Sequence, residues 1–474
     1  MKGHLTPSLR SRRRFLEDSA GGLGIVGLWH LLVSDGFGST PDATALAPRK
    51  PHFKPKAKNV IFIFAEGGPS QFDLFDPKPA MKKWDGQSLP ESMTKDLKLA
   101  FIKPTAQVWA SPRSFRRYGQ SGMDFSDWLP HLATCADDIC MVRSVATDQF
   151  NHSTGQLMLN CGTALVGRPS MGAWTVYGLG SESKDLPAYV VLGKATAAGA
   201  GVWSSGFLPS PYGGVPFRDS GDSVLYLSNP PGISQKAQRA RLDAISDLEK
   251  LDYQEAGESE ILSRLASYEL AFRMQAAAPE LMDLSKESPQ TLAAYGVDKD
   301  TTREFGAKCL LARRMIERGV RFVQVISSGW DHHTDLNKRL IENCDSIDQP
   351  TAALLKDLKQ RGLLDTTLVI WGGEFGRTPM VEAHAVDEGS EGRDHHPFAF
   401  TMWMAGGGVK GGQIVGKTDA LGLNVVEDLV HIHDLHATTL HCLGLDHKRL
   451  TYRYQGRDFR LTDVAGQVFD KLLV

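Results

Sequence analysis

Five runs of the chain are rich in apolar residues and close on glycine-containing turns. Asn59-Val-Ile-Phe-Ile-Phe-Ala65 leads into Gly67-Gly68-Pro69, and Thr367-Leu-Val-Ile-Trp371 into Gly372-Gly373. Phe398 to Met404 leads into Gly406-Gly407-Gly408, and Tyr189-Val-Val-Leu192 and Val320 to Ile326 complete the set. Short apolar runs without polar alternation fit strands buried on both faces, the habit of parallel sheets. Helical patterns fill the gaps: Gln235 to Glu255, Ser259 to Ala277, Thr302 to Arg318, and Asp335 to Arg361 with a bend or break expected at Pro350. Strands alternating with helices predict an α/β chain, a mostly parallel sheet with helices on both faces. The Gly/Pro/Ser-rich stretch from Thr196 to Gly232 is expected to be an irregular insertion covering or lining a site.

The N-terminus reads as an address. Arg12-Arg13-Arg14-Phe15-Leu16 precedes a weakly apolar segment from Ala20 to Val33, then two A-x-A exits, Ala43-Thr-Ala45 and Ala45-Leu-Ala47. Pro48 makes the second exit less attractive. This is the layout of a twin-arginine export signal. It predicts a twin-arginine translocase as a partner and a periplasmic or envelope location, with an uncleaved anchor left open. The expected organisation is a signal over residues 1–47, an exposed linker over 48–58 and an α/β domain over 59–474.

Net charge is −2, from 53 basic and 55 acidic residues, so nothing in the charge balance asks for nucleic acid. The six cysteines form no CxxC pair and read mostly as small buried filler. The histidines at 431, 433, 436 and 441, on a helix expected from Asp428 to Leu443, read as surface or packing residues.

Ligands of open parallel sheets bind beyond the carboxyl ends of the strands, and polar clusters fall there. The first run exits into Glu66 and, further on, Asp73. The third exits into Asp331-His332-His333, the fourth into Glu374, Phe375 and Arg377, and Arg393-Asp394-His395-His396 precedes the fifth. Carboxylates and imidazoles from several remote segments form a ligand set for divalent metal. Each cluster alone reads equally well as a surface turn; together they point to one centre. Asn151-His-Ser-Thr154 opens a helix expected to run through Gly162. Ser153 and Thr154 there are either helix caps or a hydroxyl nucleophile favoured by the helix dipole and a nearby metal.

These motifs, in this order, resemble the alkaline phosphatase and sulfatase superfamily. Asn59 to Glu66 resembles its first strand and acidic ligand, Asp331-His332-His333 its middle Asp/His pair, and Thr367 to Gly376 its strand ending in Ala-Asp-His-Gly. Gly392-Arg-Asp-His-His396-Pro resembles its last histidine ligand, and Thr439 to Leu445 its closing helix. Glu66 to Pro79, Asn151 to Gly155 and Gly372 to Pro379 more specifically resemble an exported branch, the domain-of-unknown-function family 1501. The resemblance implies an alkaline-phosphatase-like three-layer sandwich holding divalent metal (Zn²⁺, Mn²⁺, Ca²⁺ or Mg²⁺). Asp331, His332 or His333, and His396 would hold one ion; Glu66 or Asp73, with Glu374, a second; Asp394 and His395 lie within the same motif. Arg377 or Arg393 would clamp the transferred group.

The chain departs from the superfamily in three places. The sulfatase motif Cys/Ser-x-Pro-x-Arg is absent, Glu374-Phe375 replaces Asp-His, and Glu66 replaces Asp. The expected activity is hydrolysis of a small or glycan phosphate or sulfate ester by a Ser/Thr hydroxyl. The alternative is a non-catalytic protein that binds an anion or sulfated glycan.

Overall fold

The computed structural model describes residues 46–474 apart from 96–98, 101, 195, 219–223, 225–226 and 383–388. Residues 1–45 of the signal segment expected over 1–47 lie outside the described residues.

The strand Asn59–Ala65 (β1) is buried along its whole length. Its side chains alternate between two cores: Ile61, Ile63 and Ala65 enter one, Val60, Phe62 and Phe64 the other. That split is why the run shows no polar alternation. The remaining strands of the same sheet are Ile139–Ala146 (β2), Tyr189–Leu192 (β3), Val215–Phe217 (β4), Phe322–Ser327 (β5), Thr367–Gly372 (β6), Phe400–Ala405 (β7), Gln413–Val415 (β8) and Val430–His431 (β9). Their order is β8-β2-β7-β6-β1-β5-β3-β4, with β9 pairing β2. Every pairing is parallel except those of β7, which runs antiparallel to both β2 and β6. The start of β7 therefore lies at the rim where the other strands end.

Helices cover both faces. His152–Cys161 (α1), Met171–Leu179 (α2) and the closing helix Ile432–Cys442 contribute Leu159, Trp174 and Leu440 to the core that holds Phe62. Arg303–Glu317 and Leu336–Gln360 contribute Leu310, Met315, Leu340 and Leu354 to the core that holds Ile63. The architecture is thus a three-layer α/β sandwich around a mostly parallel sheet. No described helix is long and apolar enough to cross a membrane.

Three local outcomes differ from the sequence-based expectation. Leu336–Gln360 continues through Pro350, because Leu340, Cys344 and Ile347 before it and Leu354 and Leu358 after it bury into one core. β2 escapes notice in sequence because Arg143 interrupts its apolar run; the guanidinium leaves the sheet to reach Asp124 at 3.1 Å and the Phe75 carbonyl at 2.6 Å. The stretch over 48–58 exposes Lys50, Lys54, Lys56 and Lys58 yet is tied along the domain by its backbone, with Arg49 N–H donating to Leu179 O (2.8 Å) and Lys56 N–H to Cys442 O (2.9 Å).

Candidate metal centre

The rim gathers the ends of β1, β5 and β6, the start of α1 after β2, and the strand Arg393–His396 that precedes β7. Arg393–His396 pairs antiparallel with Gly376–Val381. Four of the gathered side chains meet at one carboxylate. Asp331 Oδ1 lies 2.8 Å from His333 Nε2, 3.3 Å from His395 Nε2 and 2.6 Å from Arg377 Nη2. Its Oδ2 lies 3.2 Å from His152 Nε2. One donor atom from each of His152, Asp331, His333 and His395 falls within 4.8 Å of the others.

The far sides of the three rings explain how they are held. His395 donates Nδ1–H to the Phe150 carbonyl at 2.7 Å. His152 Nδ1 lies 2.8 Å from Glu374 Oε1, and His333 Nδ1 contacts Glu382 Oε2. A carbonyl and two carboxylates can only accept, so each Nδ1 carries the hydrogen. In the neutral rings every Nε2 then presents a lone pair to the oxygens of Asp331. Acceptors facing an acceptor require a cation or a proton among them. His152 Nε2 lies 3.2 Å from Asp331 Oδ2 but is poorly aligned for a hydrogen bond with it. Outer acceptors that fix the tautomer and leave Nε2 pointing inward are the usual support of metal-ligating histidine. The donor set, three imidazole nitrogens and one carboxylate, fits a divalent transition metal.

The electrostatics agree. Burial opposes a charge on His152, but hydrogen bonds to Asp331 and Glu374 outweigh it and raise the ring to about 9. Burial would raise Asp331, yet contacts with His152, His333 and His395 hold it well below the usual carboxylate range. Burial holds His395 below its ordinary value against the pull of Asp331.

Beneath the rings lies Phe375, 4.3 Å from the His395 centroid and 5.2 Å from His152. Glu374, fully buried, accepts from Gly67 N–H at 3.1 Å and from Gln156 Nε2 at 3.2 Å. Gln156 Nε2 also donates to Glu66 Oε1 at 3.1 Å. Gly67 makes the close approach possible: its φ is +120°, and a Cβ there would sit 2.5 Å from the Asp331 nitrogen.

Residues 57–473 match the family model described as "Protein of unknown function (DUF1501)". The chain belongs to the DUF1501 family. No curated protein matches it. Among similar solved structures are the lipoteichoic acid synthase LtaP from Listeria monocytogenes, at 11% identity and a TM-score of 0.38, covering 92% of this chain and 81% of that one. The PsFucS1 sulfatase from Pseudoalteromonas sp. is 12% identical at a TM-score of 0.35, covering 89% and 70%. The alkaline phosphatase from the Antarctic bacterium TAB5 is 10% identical at a TM-score of 0.30, covering 74% and 92%.

In this DUF1501 protein the residues singled out in sequence divide sharply. Asp331, His333 and His395 converge, and Glu374 stands behind them. Glu66 is beside Glu374, half-buried, its carboxyl pushed up by burial and by that neighbour. Asp394 forms a second group with His333 and Glu382. Other residues go elsewhere. Asp73 is fully buried against Arg393, Nε to Oδ2 2.9 Å. His396 Nε2 reaches the Leu423 carbonyl at 2.9 Å, and burial lowers the ring to about 4. His332 packs near Trp330, both ring nitrogens buried and unpartnered, and burial takes it down to about 3. Arg377 is fully buried, its guanidinium donating to Gly68 O (2.7 Å), Arg393 O (2.9 Å), Trp330 O, Gly67 O and Asp331.

The helix cap is Asn151, whose side chain accepts from Ser153 N–H. Thr154 Oγ1 donates back to Asn151 O at 3.3 Å, and Ser153 Oγ to Ala197 O at 3.3 Å in the Gly/Pro-rich insertion. Sequence reasoning missed His152 and Glu382 as members of the site. His152 lies inside the motif prized for its hydroxyls, and Glu382 has no local signal.

Proposed function

We propose that this protein is an exported metal-dependent hydrolase of phosphate or sulfate esters, with His152, Asp331, His333 and His395 as the metal ligands. The convergence of three outer-anchored imidazoles on Asp331, at the N-terminus of a helix bearing hydroxyls, carries the reading. A divalent cation, when bound, supplies Lewis acidity to the ester oxygens.

The chain's own groups do the rest. Successive residues of a helix turn by about 100°. His152, Gly155 and Gln156 all face Glu374 or Phe375, so Ser153 lies nearer that side of α1 than Thr154. Ser153 Oγ is the attacking group, in the turn whose free N–H groups favour a developing alkoxide. Thr154 is tied to its own helix. Glu66, its carboxyl pushed up by burial, takes the Ser153 proton and passes it to the departing alcohol as the ester bond breaks; water then cleaves the Ser153 ester, restoring the hydroxyl and releasing phosphate or sulfate. Arg377, with its donors committed to carbonyls and to Asp331, positions Asp331.

The test is turnover of aryl phosphate and aryl sulfate esters by protein loaded with Zn²⁺ or Mn²⁺. Activity lost in Asp331→Asn and kept in Asp298→Asn, an exposed control, supports the reading. Absence of turnover on every ester class, metal present, counts against it. Export by the twin-arginine route belongs to the same proposal: Arg12→Lys with Arg13→Lys should leave the protein in the cytoplasm. Phe375, at the position where the superfamily resemblance implies a histidine, favours a second reading, a non-catalytic anion binder. A metal-free native protein with a tight sulfate site would select it.

A further inference from the structure

We infer that the centre takes one cation per chain, among the three Nε2 atoms and Asp331, and that the Arg377 guanidinium stands as a fixed positive charge where a second cation would need that carboxylate. The inference rests on the metal-dependent reading above and concerns how many ions that centre can hold.

Three observations carry it. Arg377 reaches Asp331 Oδ1 at 2.6 Å, is fully buried, and is locked by carbonyls of Gly68, Arg393, Trp330 and Gly67. It cannot withdraw without stranding buried donors. The carboxylates that could serve a second ion are engaged: Glu66 accepts from Gln156 Nε2 at 3.1 Å. Asp73 is held by Arg393, and Glu374 by Gly67 N–H, His152 and Gln156. Glu382 is held by His333 Nδ1.

The third observation is that the two candidate ligand groups, His152/Asp331/His333/His395 and His333/Glu382/Asp394, share His333. A neutral imidazole offers one lone pair. If Nε2 gives it to a cation beside Asp331, Nδ1 must carry hydrogen toward Glu382 and cannot ligate there. The groups are therefore alternatives. Asp394 also accepts from Ile102 N–H at 3.0 Å and from His395 N–H at 2.7 Å, which leaves the second group poorer in free oxygens.

The experiment is a count and a location on the full chain. Protein stripped with chelator is titrated with Zn²⁺ by calorimetry, dialysed and measured by elemental mass spectrometry; crystals soaked in Zn²⁺ give an anomalous map. One equivalent, with a single peak at the Nε2 cluster, is expected. His152→Ala should abolish binding at micromolar Zn²⁺, and Asp394→Asn should keep one equivalent, with unfolding curves confirming that both variants are folded. Should His152→Ala lose its native transition, the map of the wild-type protein decides location. Two equivalents, or a peak at Glu382 and Asp394, overturn the inference while leaving the hydrolase reading standing. No bound cation at all overturns both.

Discussion

His395 donates Nδ1–H to the carbonyl of Phe150 at 2.7 Å, and Phe150 lies two residues ahead of His152. One cluster histidine thus anchors the segment that delivers another. The two rings meet edge-on with centroids 4.4 Å apart. The centre is a mutual arrangement of β7's leading segment and α1, with Asp331 as their common target.

Removing the common target should be decisive. Asp331→Asn keeps the shape but withdraws the charge that faces Arg377 and three histidines. Zn²⁺ binding should disappear, and stability should fall by about 1–3 kcal/mol, because buried donors of Arg377 lose a charged acceptor. Calorimetric titration and urea unfolding check both; unchanged Zn²⁺ affinity would sink the ligand assignment.

Metal loading should release a proton. His152 is raised to about 9 and holds a proton at neutral pH in the metal-free protein. A cation must displace it, so at pH 7.5 about one proton should leave per ion. Affinity should climb as pH rises towards 9. Titration in buffers of different ionisation enthalpy reads the release; heats independent of buffer would count against a ligand role for His152.

Acid should unfold the protein through neutral buried histidines. Burial lowers His332 and His436 to about 3 and His396 to about 4. Their folded values lie below the ordinary 6.5, so the unfolded chain binds the extra protons. Their stabilising contribution is present above about 6.5 and is lost as pH falls from there toward 4 and 3. His152, raised in the metal-free protein, has the opposite sign: its contribution is full below 6.5 and is lost as pH rises through about 9. Urea midpoints of the metal-free protein should therefore decline on both flanks. A midpoint at pH 5 equal to that at pH 7 would contradict the acid limb.

The closing helix should matter to the centre from a distance. His436 donates Nε2–H to Leu159 O at 2.7 Å, and His433 to Gly162 O at 2.8 Å, so both grip the C-terminal end of α1. His436→Leu would leave a buried carbonyl unpaired, at a cost of about 1–3 kcal/mol. It should also weaken Zn²⁺ binding by shifting the helix that begins at His152. His436→Gln, which keeps a donor, should restore affinity more than stability. Wild-type affinity in a folded His436→Leu protein would reduce these histidines to packing.

How much of this was legible beforehand can be followed residue by residue. β1 and β6 could be read because burial on both faces removes polar alternation. β2 could not, because Arg143 breaks its run although its side chain leaves the sheet. The pairs His332-His333 and His395-His396 could be found, but not which member serves. In an extended strand neighbours point to opposite faces, and in Arg393–His396 that sends His395 to Asp331 and His396 to Leu423. Glu382 was out of reach because its place depends on the pairing of Arg393 with Val381 across a ribbon. His152 was hidden by its neighbours' hydroxyls; its place in the candidate group is visible only when the tip of α1 is seen beside Glu374.

The reversed strand β7 has a consequence for assembly. It slots between β6 and β2, so the candidate ligands become neighbours only after β5, β1, β6, β7 and β2 have all found their places. A half-finished chain holds the same side chains but no cage. Ion capture at the proposed centre would therefore be a signature of completed folding.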